Sequence, residues 1–266
     1  GDGSPFIGVD NLANYFVAMN HAMGSDIYHY DESGTMVPDL DEGIIEKLFL
    51  NYYEPFTKGY YGAKGRYRSD DVKQSYLAGC IGSSSSVLYF PEEVADSQGN
   101  MVPVTTGVYQ YPVMEGTTPT AIQQGAGVAV FNRSDEENRA ALDFIRWLTI
   151  DKGFELAASM SYMPVDHNGM TEEQKQQIDD ARVLNGIETG LKQSNSYQMV
   201  YGFDFENSYD VRTGVDACFG EALSQGRMEF EEYLARGMSM DEAAASMDYG
   251  SKAEAFYEQV KAIFEE

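Results

Sequence analysis

Apolar residues recur at helical spacing along much of the chain, and those stripes set its expected framework. Leu12, Tyr15, Phe16, Met19 and Met23 make the first, which Gly24 ends. Ile44, Ile45, Leu48 and Phe49 mark a second helix, and Val72, Tyr76 and Leu77 a third that opens at Ser69-Asp70-Asp71. Between the first two, Ile27-Tyr28-His29-Tyr30 and Thr35-Met36-Val37 flank Asp31-Glu32-Ser33-Gly34, the pattern of a small β-hairpin. Residues 79–87 leave the third helix for a strand-and-turn pattern, and residues 95–120, rich in Pro, Gly, Thr and Val, read as loop and short strands. Val128-Ala129-Val130-Phe131 is a short apolar run of the kind that suits a buried strand. Ser134 and Glu137 then form a capping box, in which each side chain satisfies the other residue's main-chain N–H. The helix they open is expected to bury Ala141, Phe144, Ile145 and Leu148.

After residue 170 the pattern reads as helical throughout. Capping boxes recur at Thr171/Gln174 and Ser239/Glu242. Val215, Cys218, Phe219, Ala222 and Leu223 form one stripe, and Ala253, Phe256, Tyr257, Val260, Ile263 and Phe264 another. No internal repeat and no low-complexity linker stand out. The fold class is therefore mixed α/β, with a helix-rich second half.

Charge narrows the partners. The 266 residues hold 18 Lys and Arg against 43 Asp and Glu, a net charge of −25. That excess argues against nucleic acid, which needs clustered cations, and against an anionic membrane surface. An apolar share of 43% is too high for a disordered acidic segment, and the length suits one large domain or two modest ones. No apolar run approaches the ~20 residues needed to span a bilayer. Cys80 and Cys218 lie far apart and in no CxxC pair, so both are expected to be small buried residues and not a bridge. The start, Gly1-Asp2-Gly3-Ser4-Pro5, reads as a processed end.

Recognised chemistry is mostly missing. His21, His29 and His167 fall in no metal-ligand spacing, and there is no P-loop. Gly59, Gly62 and Gly65 are spaced GxxGxxG and follow no strand, so they are not a dinucleotide fingerprint. Gly82-Ser83-Ser84-Ser85-Ser86 approaches a nucleophile elbow, but Ser86 stands where GxSxG needs glycine. No catalytic residue, metal or cofactor is expected. A secreted hydrolase using Ser84 with His167 or another histidine, or a carboxylate pair, is the alternative, and an adhesion module with an acidic surface is a third reading.

The positive signals suit binding. The hydroxyls of Ser83–Ser86 can face a polar ligand, Gly125 and Gly127 allow close approach of main-chain N–H groups, and the 19 tyrosines supply flat faces with polar tips. The one basic cluster, Lys58, Lys64, Arg66 and Arg68, is expected as a solvated loop, with contact to a permease or an anionic ligand as the sharper reading.

The order of these pieces resembles a known family. Gln124-Gly125-Ala126-Gly127-Val128-Ala129-Val130-Phe131, then Asn138 through Thr149, then Gly153 and Ser161-Tyr162-Met163-Pro164-Val165 resemble the extracellular solute-binding proteins of ABC importers, in the maltose-binding and glycerol-phosphate-binding branches. Tyr76 through Ser84 is similar to that family's upstream "GS" segment, and Arg212 with Val215 and Leu223 falls where the family has an arginine followed by a helix. The resemblance implies a periplasmic-binding-protein-like (type II) two-lobed α/β fold that closes by a hinge on a small-molecule solute, a sugar or glycerophosphate-like compound, and then meets an ABC transporter permease. It carries the ligand role onto Ser83, Ser84, Ser85, Gly125, Ala126, Gly127, Tyr162, Arg212, and Tyr15 or Phe16. It also implies a monomer outside the cell, as a membrane-anchored lipoprotein or in the periplasm.

Two departures from the family pattern matter. Serines stand where maltodextrin binders place a Trp, and the single Trp147 belongs to the helix motif; with Arg212 and the glycine amides this leans toward a polyol phosphate, with a small sugar equally open. Family members also have nearly a whole lobe ahead of the point that Gly1 matches. Residues 1–123 are therefore expected to be part of the second, interrupting lobe and 124–266 the return to the first, in a C-terminal piece of a longer lipoprotein whose 128–131 strand lacks its usual parallel partners.

Overall fold

The computed structural model describes residues 5–96, 98–165 and 169–265. About 53% of the chain is helical, and the described strands pair only two by two, so the protein is mixed α/β with helix dominant. It divides into two compact units. The larger holds residues 1–82, 111–123 and 197–266, and the smaller holds 83–110 and 124–196. This differs from a single division at residue 123. One parallel ribbon explains the difference, because it pairs residues 120–122 with 198–200, across that division.

The larger unit begins with β1 (Ile7–Val9) and α1 (Leu12–Met23). Asn11 caps α1 by accepting the Asn14 N–H at 2.7 Å, and Gly24 ends it at φ 92°, a left-handed turn that glycine makes without strain. The expected hairpin follows as β2 (Ile27–Tyr30) and β3 (Met36–Asp39). Asp41 caps α2 (Glu42–Thr57). The third expected helix is shorter than its stripe suggests: α3 (Arg68–Lys73) begins before Ser69, no side chain caps it, and Asp71 turns inward. β4 (Gly79–Ile81) then lies parallel to β1, with Gly8 opposite Cys80.

In the smaller unit β5 (Glu93–Ala95) and β6 (Met101–Pro103) form a second hairpin. It corrects the reading that the chain has no repeat. Both hairpins carry Asp-x-x-Gly-x-Met-Val-Pro, from Asp31 to Pro38 and from Asp96 to Pro103. Asp31 Oδ1 accepts the N–H groups of Ser33 and Thr35 at 2.8 and 2.9 Å, and Asp96 Oδ1 accepts those of Gln98 and Asn100, both at 2.8 Å. Gly34 and Gly99 take φ values of 80° and 83°. The same turn chemistry therefore builds both.

The chain re-enters the larger unit for β7 (Thr120–Ile122) and leaves it again. Val128–Phe131 forms no strand and lies exposed, against the expectation of a buried one. α4 (Asp135–Arg146) opens on the expected Ser134/Glu137 capping box, but none of its residues is buried. Ala141 and Ile145 are half-buried and Phe144 is exposed, because among the described residues only the exposed Val128–Phe131 segment is seen to face the stripe that the sequence offers. A π-helical turn over Trp147–Asp151 joins it to α5 (Gly153–Met160), followed by α6 (Glu172–Lys175) and α7 (Ala181–Ser196). The Thr171/Gln174 box caps α6.

Back in the larger unit, β8 (Gln198–Val200) interrupts the helical half and pairs parallel with β7. Then come α8 (Ser208–Ala235), α9 (Met240–Ser246), which opens on the Ser239/Glu242 box, and α10 (Tyr249–Glu265). α1, α2, α8 and α10 enclose the main core. Phe49 stacks on Phe256 with ring centres 4.3 Å apart, and Phe219 sits edge-on to Phe256 at 4.7 Å. Gly226 lets α8 approach α2, since a Cβ there would overlap the Tyr53 hydroxyl. Both cysteines are free, Cys218 buried and Cys80 half-buried.

Candidate functional site

The serine run stands directly after the first passage between units. Ser83 caps a short 3-10 helix over Ser84–Tyr89. Its Oγ accepts the Ser85 N–H at 3.4 Å and lies 3.0 Å from Ser85 Oγ, while Ser86 Oγ donates to the Ser83 carbonyl. The Ser83 hydroxyl thus stands in for the acceptor that a main-chain N–H at a helical start lacks, and the Ser85 and Ser86 hydroxyls bond within the turn. The Ser84 hydroxyl takes no part in these bonds and is half-buried.

Gly125, Ala126 and Gly127 lie exposed just after the third passage. Neither glycine has a positive φ, and a Cβ on either would meet no atom within 4 Å. The fold itself does not require glycine at these two positions.

Tyr162 is partly exposed, and its N–H donates to the Ala157 carbonyl at 2.9 Å. Ser161 before it closes α5 at φ 53° and ψ 37°, and its fully buried hydroxyl has no partner. A left-handed serine with an orphaned hydroxyl carries two penalties, each of about 1 kcal/mol or more. Ser161→Gly removes both and loosens the unfolded chain, so we expect a net gain of about 1 kcal/mol in stability. Urea unfolding checks this, and a loss of stability would refute it.

Arg212, Tyr15 and Phe16 belong to the larger unit. Arg212 is half-buried on α8, and its Nη2 donates to Asn14 Oδ1 at 3.3 Å. One turn on, Asp216 Oδ1 accepts the N–H groups of Leu12 and Ala13 at 2.8 and 3.2 Å. The positive end of α1 is therefore already held by a carboxylate of the chain. Among the described residues no carboxylate is in ion-pair distance of Arg212.

The aromatic expected to stack on ligand is corrected. Phe16 is fully buried, and Tyr15 donates to the Leu48 carbonyl at 2.9 Å and accepts from Asn51 Nδ2 at 3.1 Å. Their faces are taken up by the core, with Tyr52 5.4 Å and Phe219 6.0 Å from the Tyr15 ring. Tyr52 accepts the Val9 N–H at 3.2 Å, and burial pushes its hydroxyl up to about 12. Burial also raises Tyr15 and Tyr111. This tyrosine cluster went unread in the sequence, where only the abundance of Tyr hinted at it.

The basic cluster divides. Lys58 pairs with Glu54 at 3.4 Å, Lys64 lies over the Tyr76 ring at 5.5 Å, and Arg66 over Tyr67 at 5.2 Å. Arg68 is no solvated residue. It is 5% exposed, with Nη1 2.8 Å from Asp71 Oδ2, an ionic contact whose angles are poor for a hydrogen bond. Its main-chain N–H donates to Asp10 Oδ1 at 2.8 Å and its Nη2 to the Gly65 carbonyl. Asp71, 1% exposed, accepts the N–H groups of Lys64 at 3.0 Å and Gly65 at 2.7 Å. The two residues pin the loop between α2 and α3. Beside them, burial pushes the Cys80 thiol up to about 12, which keeps it protonated and unreactive at neutral pH.

Ser84 and the described histidines lie in different units: His21 faces Asp26 at 3.4 Å and His29 is on β2. His167 is outside the described residues. Among the described residues no group of His, Cys, Asp and Glu could hold a metal, and no helix is long and apolar enough to cross a membrane. Compared with family models, curated proteins and solved structures, the chain matches none.

Proposed function

We propose that this chain is a solute-binding module of an ABC importer, of the type II two-lobed kind, taking a small carbohydrate or polyol phosphate. The observation that supports the reading most is where the proposed ligand groups fall along the chain. Ser83 is the first residue after the passage at 82/83, and Gly125 the second after the passage at 123/124. Segments that pass between two units are those a hinge would use. The groups these two segments carry are hydroxyls and free amides, suited to polyol and phosphate oxygens. In this reading the module acts outside the cell, periplasmic or lipid-anchored, and hands its solute to a permease.

The test is a thermal-shift panel of neutral sugars, glycerol phosphate and glycerophosphodiesters. A solute at ~100 times its Kd adds about 2.7 kcal/mol, which raises Tm by several degrees in a chain of this size. No shift with any member overturns the ligand class. Gly125→Ala and Gly127→Ala sharpen the result. Nothing in the fold opposes a methyl there, so stability should stay within about 0.5 kcal/mol or rise slightly. The solute shift should shrink, because the methyl keeps the solute from the amides.

A further inference from the structure

One helix of the smaller unit brings two of the proposed ligand segments together. Gly186 and Gly190 stand four residues apart on α7, so they share a face to which neither brings a Cβ. The segment that follows α5 fills this face. A Cβ on Gly186 would stand 3.0 Å from Ser161 Oγ, and one on Gly190 would overlap Met163 Sδ. Val87 reaches the same spot, 3.6 Å from the Gly186 Cβ position. It lies three residues after Ser84, which puts both on one side of the 3-10 helix. Tyr162, between the two seated residues, is 37% exposed, and among the described residues its hydroxyl has no partner.

We infer that α7 is a cradle that aims Tyr162, with the free Ser84 hydroxyl one turn from the shared contact, at the face of a neutral sugar ring. The inference rests on the solute-binding reading and narrows its ligand class. Ser161 is the observation that sets the cradle apart from plain packing. Its hydroxyl is fully buried on Gly186 without a partner, and its main chain is left-handed, where glycine would sit without strain. A residue that costs the empty fold stability is accounted for by what it holds in place, and the next residue is Tyr162.

The chemistry offered is neutral. Arg182, one turn before Gly186, is spent on Asp180 at 2.6 Å, Glu92 at 2.9 Å and the Phe90 carbonyl at 2.8 Å. A phosphate therefore finds no free cation on this turn of α7. The flat face of the Tyr162 phenol can cover the C–H side of a sugar ring. Its hydroxyl and that of Ser84 both donate and accept, as sugar hydroxyls do.

The experiment titrates the whole chain with neutral mono- and disaccharides and with glycerol phosphate, by calorimetry, and melts each variant alone. We expect a neutral sugar to bind the parent chain and glycerol phosphate not to. Tyr162→Ala should weaken the sugar roughly tenfold, a loss of about 1.4 kcal/mol. Gly190→Ala keeps the ring but pushes Met163 off α7, so affinity should fall by a similar factor. Met163→Ala added to it should restore most of the loss. Ser161→Gly should raise the melting temperature and yet weaken the sugar a few-fold, two changes of opposite sign that a purely structural residue would not give. It also carries the test if Gly190→Ala fails to fold. Binding of glycerol phosphate and of no sugar overturns the inference and leaves the solute-binding reading standing, whereas no binding by any probe overturns both. A sugar that binds the parent and Tyr162→Ala alike overturns the inference alone. So does an unchanged sugar affinity in Ser161→Gly or in folded Gly190→Ala.

Discussion

Asp71→Ala should unfold this protein about 10 °C earlier than the parent chain. Asp71 is 1% exposed and faces an arginine that is 5% exposed. Removing it strands the Arg68 guanidinium in the interior and takes the acceptor from the Lys64 and Gly65 amides. Breaking a buried pair from one side typically costs about 3–5 kcal/mol, because the remaining charge is left uncompensated. At about 2–4 °C per kcal/mol for chains of this size, that gives the expected shift. A paired replacement, Arg68→Met with Asp71→Leu, should recover a good part of the loss, since it leaves no orphaned charge. Thermal unfolding of the two variants decides it. A single variant within 1 kcal/mol of the parent would show that the pair is solvated in solution.

Phe219→Ala should cost as much by a different route. Phe219 is fully buried, with ring centres at 4.7 Å from Phe256, 5.5 Å from Phe49, 6.0 Å from Tyr15 and 6.1 Å from Tyr52. Those rings belong to α1, α2 and α10, so truncation opens a cavity where four helices meet, at about 3–5 kcal/mol. Phe144→Ala makes the control. It occupies an equally regular stripe in the sequence, yet its ring is 57% exposed, so the change should stay within about 0.5 kcal/mol. Equal losses from the two would mean that α4 is packed in solution.

The contrast between Phe219 and Phe144 shows what a stripe can carry. Helical periodicity reports that a face wants cover, and α1, α2, α8 and α10 find it in one another. α4 has the same signature without the cover. The capping boxes at Ser134, Thr171 and Ser239 were all legible, because both partners sit within four residues. Of the candidate site, the serine turn and the glycine segment keep the exposure that a binding role needs, while Tyr15 and Phe16 do not. One amphipathic stripe cannot tell a ring that faces solute from one that faces core.

By itself the sequence determined the main helical stripes, the three capping boxes, the first hairpin, and the acidic excess that argues against nucleic acid. All of these are settled within a turn or two of chain, or by composition alone. Only the tertiary structure decided that β1 pairs with β4 and β7 with β8, that Arg68 is buried on Asp71, and that Val128–Phe131 stays uncovered. The strands of each parallel ribbon are three residues long and more than 60 residues apart, too short to show a period and too distant for local signals. Burial of a single charge depends likewise on which distant carboxylate arrives, and no pattern along the chain records that.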